Sequence, residues 1–352
     1  MTEGVYRIGV VGASSLAGKE LAEELGESMF AASDVKLLDD EDVTGQMTVA
    51  GDEASFIQRL DADSFQRMDF AFFTGSAEVA SAQWQSARKA GASIVDLTYA
   101  LEVQPEVMVR SPLVEQAIGG ANAAPLTMPD LKTPAVVAAH PASVMLALVA
   151  ARLEAVGKVA HLSATVMEPA SEYGRLAMDE LHQQTVNLLS FQSLPKEQYD
   201  AQVSFNLLGA LGESAKVGFA RTEQRIAEHY AVIAAGRLAA LSLQLVHAPV
   251  FHGYTASVLV ELAEPAALSA VEAALSVAPF DLVQDGADGP SNLSAAGQEN
   301  ILVRVRAADP MVDEKGLRFW VWMAADNLNL AARNGIACAL ELRRLRPQGK
   351  IQ

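Results

Sequence analysis

The sequence predicts an α/β protein in which a doubly wound parallel sheet comes first and a mixed α+β domain follows. Three observations support this prediction. A short β-branched strand near the start leads into a glycine-rich turn and then a helical pattern. The strand–helix order then repeats, which is typical of a parallel sheet. The second half contains long alternating strands, which suit a sheet covered on one face.

The composition argues against several classes of partner. The chain has 352 residues, with 43 Asp and Glu against 26 Lys and Arg, so its net charge of −17 repels nucleic acid and anionic lipid. No apolar run approaches the roughly 20 residues of a membrane helix, and the N-terminus lacks the pattern of a secretion signal. Cys338 is the single cysteine, which excludes an internal disulfide and a cysteine-based zinc cluster. We therefore expect a cytoplasmic protein without nucleic-acid, membrane or metal binding.

The first strand, YRIGVV, ends at Val11 and leads into GASSLAG at residues 12–18. A Rossmann-like dinucleotide site requires this order, because glycine lets the pyrophosphate approach the backbone and the helix N-terminus offers free amides. The predicted cofactor contacts are Gly9, Gly12, Ser14, Ser15, Leu16 and Ala17. At Ser15, where glycine is common, we expect the side chain to narrow the approach, although its hydroxyl could itself donate to a phosphate. The alternative is a close-packed turn with no ligand.

The second strand, VKLL from Val35 to Leu38, ends in four acidic residues, 39–42. One carboxylate at this place accepts a hydrogen bond from a ribose 2′-hydroxyl, whereas a cluster of them repels a 2′-phosphate. Of the two cofactors NAD and NADP, the sequence therefore favours NAD. A solvated acidic turn is the alternative.

A polar turn, His140-Pro141-Ala142-Ser143, follows the apolar strand AVVAA, and a helix is predicted from Val144 to Glu154. Open α/β sheets place their chemistry at the carboxyl ends of strands, so Ser143 is a candidate nucleophile. A serine attacks only with a general base beside it. His140 is one candidate for that base, and the alternative is a histidine that caps or stacks.

The second half is predicted to form strands and three further helices. The predicted helices are 175–189, 222–241 and 327–345, the last with Cys338 in its apolar face, and residues 281–299 are predicted to form a loop. His247 and His252 would face opposite sides of a strand, which argues against a two-histidine metal site.

The order of these motifs resembles that of the aspartate-semialdehyde dehydrogenase family almost from end to end. Besides the glycine loop, the family's Asp-x-Ser-Ser-x-x-Arg run is similar to residues 96–102, its Asn-Pro-x-Cys turn to 140–143, its Gln-x-x-Ser-Gly-x-Gly loop to 168–174, its Val-Pro-Val-Phe-x-Gly-His run to 248–254 and its Asp-Asn-Leu helix start to 326–328. The resemblance implies a dinucleotide-binding domain over 1–140, a dimerisation and substrate domain over 141–325, and a C-terminal helix, 326–352, that returns to the first domain. It also implies a homodimer.

Every catalytic position of that family is changed in this sequence. By position, the family's nucleophilic Cys, its His, its Gln, its phosphate-binding Arg and its carboxylate-binding Arg are here Ser143, Tyr254, Glu168, Glu102 and His247. With His140, these are the predicted pocket residues. Tyrosine is a poor proton shuttle at neutral pH, and Glu102 would repel a phosphate.

We therefore expect a family member that lacks the standard phosphorylating dehydrogenase activity and binds a nucleotide or a partner protein. One alternative is an active NAD(P)-dependent oxidoreductase on a different aldehyde or carbonyl, in which Ser143 or Tyr254 polarises the carbonyl group. Another is a heteromeric partner of an active paralogue.

Overall fold

The computed structural model describes residues 5–50, 53–61, 63–119, 127–284, 286, 288–308 and 315–345. The chain forms two compact units. The first unit comprises Met1–Leu113, Ala124–Ala139 and Ala331–Gln352, and the second comprises Val114–Ala123 and His140–Leu330. No helix in the described part of the chain combines the length and the hydropathy needed to cross a bilayer.

The elements up to Ala139 are nine strands with three helices between them within the described residues, and strand–helix–strand units of the kind that the sequence predicts occur at α1, α2 and α3. They are β1 (Arg7–Val11), α1 (Leu16–Glu27), β2 (Asp34–Asp39), β3 (Met47–Ala50), β4 (Glu53–Phe56), β5 (Gln58–Arg59), β6 (Phe70–Phe73), α2 (Ala77–Lys89), β7 (Ser93–Asp96), β8 (Met108–Arg110), α3 (Pro112–Ile118) and β9 (Val136–Ala138). A short 3₁₀ turn, Glu41–Val43, follows β2.

Seven of these strands form one parallel sheet in the order β5-β2-β1-β6-β7-β9-β8. Successive side chains on a strand point to opposite faces. Accordingly Phe70 and Phe72 join one core cluster, and Ala71 and Phe73 join another. Burial on both faces explains why these strands read as continuous apolar runs. The predicted doubly wound, Rossmann-like sheet is confirmed.

The position of β1 between β2 and β6 creates the feature that matters for function. The chain order reverses there, so a crevice opens at the carboxyl ends of β1 and β6, where α/β sheets bind their ligands. The glycine loop that follows β1 therefore lies at this crevice.

The remaining elements belong mainly to the second unit. They are α4 (Pro141–Leu153), β10 (Val159–Glu168), α5 (Arg175–Leu189), α6 (Phe219–Ala234), β11 (Leu241–His247), β12 (Tyr254–Ala267), α7 (Leu268–Ala274), β13 (Phe280–Leu282), α8 (Asn292–Ala295), β14 (Ile301–Ala307), β15 (Lys315–Ala325) and α9 (Asn327–Arg343). Six strands form a mixed sheet in the order β11-β10-β12-β15-β14-β13. This confirms the predicted α+β architecture.

The structure corrects three predicted elements. The helix predicted to run to Leu241 ends at Ala234, because Ala235 and Gly236 have φ of 49° and 70° and so take the left-handed conformation that ends helices. The predicted loop 281–299 contains the end of β13 and the short helix α8, which a Ser291–Ser294 capping box starts.

The third correction concerns Ser143, which lies inside a helix and not in a turn before it. Helix α4 begins at Pro141, because proline at the first helical position has the φ that a helix needs and lacks only an amide that would be unsatisfied there. The side chain of His140 caps the helix. Ser143 is therefore in the first turn of a helix that is buried along nearly its whole length.

Candidate functional site

The glycine loop of the first unit makes one very close backbone approach. Gly12 has φ of 84°, and a Cβ on it would overlap the backbone of Gly75, which follows β6. A side chain on Gly18 would likewise meet Gly12 O. Glycine is therefore required at positions 12 and 18 by packing alone.

The structure separates the predicted cofactor residues into two groups. The amides of Leu16 and Ala17, at the start of α1, have no partner in the described part of the chain, so they are available to an anion. Gly9 lies inside β1, where a Cβ would stand 2.5 Å from Met68 Sδ, so its role is packing. We see no route from Gly9 to a cofactor.

The two serines of the loop are engaged within the protein. Ser15 caps α1 by accepting from Gly18 N at 2.9 Å, and its hydroxyl donates to Thr74 O at 3.1 Å. In this conformation the Ser15 hydroxyl proton is directed at Thr74 O and not at the crevice. Ser14 N donates to the Asp39 carboxylate at 2.7 Å.

Asp39 stands at the end of β2 on the wall of the crevice. Its Oδ2 accepts from Ser14 N and its Oδ1 from Asp40 N at 2.9 Å. The pocket beside it is lined by Val11, Gly12, Asp39, Asp40, Leu60, Phe73, Gly75, Ser76 and Val79. This pocket has backbone, carboxylates and apolar side chains on its walls, at the carboxyl ends of β1 and β6, where open α/β sheets bind their ligands.

In the second unit, the side chain of Ser143 is fully buried and hydrogen-bonded to a backbone carbonyl. Its Oγ donates to Ile226 O, in α6, at 2.8 Å. The hydroxyl proton therefore points at a helix backbone and not at a base. Ser143 joins α4 to α6 in this conformation.

His140 uses both ring nitrogens and its amide in fixed contacts. Its Nδ1 accepts from Ala142 N at 3.2 Å, and its Nε2 lies 2.9 Å from Glu172 Oε1. Its backbone N donates to His229 Nδ1 at 3.0 Å. The interpretation of His140 as a capping and stacking histidine is thus confirmed, and the ring has no nitrogen left for Ser143.

Tyr254 begins β12 and is tied to the same carboxylate as His140. Its hydroxyl donates to Glu172 Oε2 at 2.7 Å, and its ring meets His140 edge-on at 5.9 Å. Burial would raise the pKa of Glu172, but His140, Tyr254 and the positive charge of Arg225 together lower the pKa. Glu172 is therefore an ionised carboxylate that is hydrogen-bonded to both His140 and Tyr254.

Glu168, at the end of β10, is the second buried carboxylic acid of the site. Tyr173 donates to its Oε1 at 2.8 Å, and its Oε2 lies 3.3 Å from His247 Nδ1. Burial, reinforced by the negative charge of Glu172, raises the pKa of Glu168 well above its usual range. Burial also lowers the pKa of His247 to about 4. These directions favour a pair without charge, a protonated acid beside a neutral imidazole.

Of the six predicted pocket residues, the second unit contains five: His140, Ser143, Glu168, His247 and Tyr254. Glu102 lies in the first unit, half-buried, after a turn in which Asp96 accepts from the amides of Thr98 and Leu101. Burial raises the pKa of Asp96, and the charge of Glu102 adds to this rise.

Several site residues escaped the sequence analysis. Glu172 and Tyr173 lie in the 3₁₀ turn Ala170–Tyr173, inside a motif that was noted only for its resemblance. Asn327 holds the site together by accepting from Gly253 N at 2.9 Å and donating to Ser171 Oγ at 3.0 Å. His229 comes from the middle of α6, where nothing in the sequence marks it.

The chemistry available to this site is hydrogen bonding and proton transfer. The one thiol of the chain, Cys338, is buried in the core of the first unit, and burial raises its pKa. Within the described residues, no group of three or more His, Cys, Asp or Glu side chains is arranged to hold a metal ion.

Comparisons with known proteins agree with this geometry. Residues 7–139 match the model of the semialdehyde dehydrogenase NAD-binding domain, and residues 150–330 match that of the semialdehyde dehydrogenase dimerisation domain. A "USG-1 protein homolog" from Pseudomonas aeruginosa is 32% identical over 332 residues, covering 92% of this chain and 94% of that protein.

Two further relatives carry the enzyme's name. An "aspartate-semialdehyde dehydrogenase" from Rickettsia bellii is 25% identical, over 96% of this chain and 97% of that protein. The solved structure of "a probable aspartate-semialdehyde dehydrogenase" from Pseudomonas aeruginosa superposes with a TM-score of 0.80 at 28% identity, over 97% of this chain and 99% of that one. The two domain matches and these full-length similarities show that the chain belongs to the aspartate-semialdehyde dehydrogenase family.

Proposed function

We propose that this chain is a nucleotide-binding, homodimeric member of its family that does not catalyse the thiol-based phosphorylating dehydrogenase reaction. One observation carries the proposal. The only thiol in the sequence is Cys338, in the core of the first unit, while the position of the family's cysteine holds a buried serine. A covalent thioester therefore has no sulfur to form on.

The surroundings of Ser143 do not replace that sulfur. An alcohol needs an adjacent general base before it attacks a carbonyl. The Ser143 hydroxyl donates to Ile226 O, and the two ring nitrogens of His140 contact Ala142 N and Glu172. Tyr254, at the position of the family's histidine, donates to a carboxylate, which favours its phenol form.

The anion-binding positions support the same conclusion. The resemblance assigns a phosphate-binding arginine to position 102 and a carboxylate-binding arginine to position 247, and this chain has Glu102 and His247 there. Arginine is suited to such anions because its planar fork binds two oxygens at once. Neither glutamate nor a neutral imidazole supplies this.

For the cofactor, we propose NAD in preference to NADP. The NAD-binding domain of the family covers the glycine loop, the free amides of α1 and Asp39. A dinucleotide bound here would have its pyrophosphate at the amides of Leu16 and Ala17 and a ribose hydroxyl at Asp39. A 2′-phosphate at the same place would meet the carboxylates of Asp39 and Asp40. When bound, the cofactor would supply or accept a hydride.

A second candidate function is an oxidoreductase that transfers a hydride directly to a different aldehyde or carbonyl. The observation that favours it is the network of buried ionisable groups, with Glu168 and Glu172 shifted in opposite directions. Carboxylic acids with separated pKa values are common where protons are handled. Hydride transfer needs no nucleophile, so the loss of the cysteine does not prevent it.

The first experiment is calorimetric titration of the nucleotide-free protein with NAD and with NADP, in the wild type and in Asp39→Ser. We expect micromolar NAD binding, weaker NADP binding, and a smaller preference in the variant. The exposed Asp42→Ser is the matched control. Equal binding of both cofactors by the wild type would contradict the role of Asp39 in discriminating between NAD and NADP. Binding of neither would mean that the glycine loop has only a structural role.

The companion assay follows phosphate-dependent reduction of NAD and NADP with aspartate semialdehyde. We expect no turnover above the background without enzyme. An active family member assayed in parallel shows that the substrate is competent. Turnover that depends on both phosphate and semialdehyde would refute the proposal, whereas turnover of another aldehyde without phosphate would establish the second candidate.

A further inference from the structure

Two polar atoms next to the Glu168–His247 pair are sealed inside the second unit without a protein partner. They are Tyr199 Oη and His247 Nε2, on side chains that are both fully buried. The two rings pack against each other, with centroids 4.7 Å apart. A buried donor without a partner is costly, so native proteins rarely retain one unless a water or a ligand satisfies it.

Tyr199 differs from two buried arginines that also lack a partner at one atom. Arg152 and Arg237 lack one at Nε, but each forms a hydrogen bond through another guanidinium nitrogen. The hydroxyl of Tyr199 forms no hydrogen bond within the described residues, although it lies in a cluster with Leu181 and Val203.

The rest of Tyr199 is held firmly in place. Its amide donates to Glu180 Oε1 at 3.2 Å, and the neighbouring amide of Gln198 donates to Glu180 Oε2 at 2.7 Å. The position of the Tyr199 hydroxyl is therefore defined, because the backbone of the residue is fixed by hydrogen bonds. It is fixed beside His247 and within the electrostatic reach of Glu168.

The chemistry of the neighbours determines what His247 Nε2 offers. Tyr173 donates to Glu168 Oε1, which leaves Oε2 to carry the acid proton and to face His247 Nδ1 at 3.3 Å. When the Oε2–H group donates a hydrogen bond to Nδ1 and keeps its proton, Nδ1 is the acceptor. The single proton of the neutral imidazole then stands on Nε2. Nε2 is then a donor, and Tyr199 Oη is a second donor on the adjacent ring.

We propose that Tyr199, His247 and Glu168 form an uncharged donor subsite that takes a neutral oxygen acceptor, such as a carbonyl or amide group, and discriminates against a carboxylate. A carbonyl oxygen has two lone pairs and matches two neutral donors. A carboxylate would have to be desolvated with no opposite charge on either donor, and with ionised Glu172 nearby.

This inference goes beyond the proposed function, since it names the chemical class that the second unit accepts whether or not a reaction follows. It also accounts for the histidine at the position of the family's carboxylate-binding arginine. Tyr199 belongs to the segment between α5 and α6, which has little regular structure.

The test uses two probes of the same size, propionamide and propionate, with the protein labelled with ¹⁵N in its histidines. His247→Gln identifies the His247 signals among those of the six histidines. We expect the free protein to show a neutral His247 with its proton on Nε2. Propionamide should shift these signals at near-neutral pH, and propionate should bind at least about tenfold more weakly, which is the effect of one charge or hydrogen-bond mismatch.

Two matched variants separate binding from stability. Tyr199→Phe removes a hydroxyl without a protein partner, so it should weaken propionamide binding about tenfold while the free protein melts at the same temperature or higher. Tyr230→Phe removes a hydroxyl that donates to Ala239 O at 2.8 Å, so it should lower the melting temperature and leave propionamide binding unchanged.

Three outcomes would overturn the subsite: propionate binding as well as propionamide, no shift of His247 with propionamide up to high millimolar concentration, or a loss of stability in Tyr199→Phe equal to that in Tyr230→Phe. The last two would mean that a fixed water or no ligand at all satisfies the two atoms. Neither readout uses turnover, so a failure of the proposed function would be seen separately in the phosphate-dependent assay.

Discussion

The hydroxyl of Ser143 illustrates how one hydrogen bond decides the chemistry of a residue. Donation to Ile226 O directs the proton into the backbone of α6, and complete burial removes the side chain from solvent. A cysteine at the same place would supply the sulfur of a thioester but not the anion-binding groups that the family's reaction uses. The residue at position 143 is therefore only part of what an active site would need.

This argument predicts the behaviour of the double variant Ser143→Cys with Tyr254→His. We expect no phosphorylating dehydrogenase activity, because Glu102 and His247 remain where the resemblance implies anion-binding arginines. The measurement is phosphate-dependent formation of reduced cofactor, with cofactor binding as the control for folding. If the double variant gained normal activity, the weight placed on Glu102 and His247 would be shown to be mistaken.

A second prediction at this scale concerns pH. The folded pKa of His247 is lowered to about 4 from 6.5, so its neutral form stabilises the fold above pH 6.5, and this contribution is lost as the pH falls through about 4. The whole change is roughly 3 kcal/mol at most. Urea unfolding of the wild type between pH 7 and 4.5 should show this loss, and His247→Gln should lack it.

Glu168, the acid next to His247, contributes to stability with the opposite pH dependence, and it is present in both the wild type and His247→Gln. The raised pKa of Glu168 stabilises the fold at low pH, and this contribution is lost as the pH rises through its folded value. Comparison of the variant with the wild type therefore reports what His247 contributes together with its effect on the paired Glu168. His161→Gln, at an exposed position of β10, is the control. Equal pH slopes for the wild type and His247→Gln would argue that His247 is charged in the fold.

At the scale of the elements, the close approach of the loops after β1 and β6 restricts the residues that the first unit accepts at this place. Gly12 and Gly75 approach so closely that neither leaves room for a side chain. The turn at Gly12 leads directly into α1, so packing alone fixes a glycine at this position.

A pair of glycine substitutions separates strain from the clash. Gly12→Ala and Gly91→Ala both place alanine at positive φ, 84° and 95°, but a Cβ on Gly91 meets nothing within 4 Å. Gly91→Ala should cost about 1–2 kcal/mol of unfolding free energy through strain alone, and Gly12→Ala clearly more, with loss of nucleotide binding. If chemical denaturation gave equal losses of unfolding free energy for Gly12→Ala and Gly91→Ala, the loops after β1 and β6 would be able to move apart without a cost in stability.

The whole molecule raises the question of assembly. The chain contains the dimerisation domain of its family, and the sheet of the second unit has a half-exposed face that includes Leu259, Trp320 and Trp322. Leu259 lies opposite Trp320 in the register of β12 and β15, so these side chains form one patch. Aromatic patches of this kind favour association.

We expect a homodimer in sedimentation velocity experiments, and Trp320→Glu should weaken it at least about 30-fold, as the loss of a central aromatic anchor does. Leu131→Glu, at an 84% exposed position of the first unit, is the control and should leave the dimer intact. A monomer at micromolar concentration would direct attention to the alternative, a heteromeric partner that covers the same face.

Much of this molecule follows from the sequence alone. The apolar runs of β1, β6, β7 and β9 and the alternation in β10, β12 and β14 predict the two kinds of sheet, because local periodicity reflects which faces are buried. The lack of a cysteine near position 143 and the acidic end of β2 are also visible in the sequence. These features depend on the identity of single residues or on short-range patterns.

Only the tertiary structure decides how the polar residues of the second unit are joined. Glu172 connects His140 to Tyr254, which is 114 positions further along the chain, and Tyr199 meets His247 from a segment with no periodicity. Such contacts depend on how distant strands and turns pack, and burial then determines which acid keeps its proton. Sequence patterns carry neither kind of information, since both distance and solvent exposure arise only when the chain has folded.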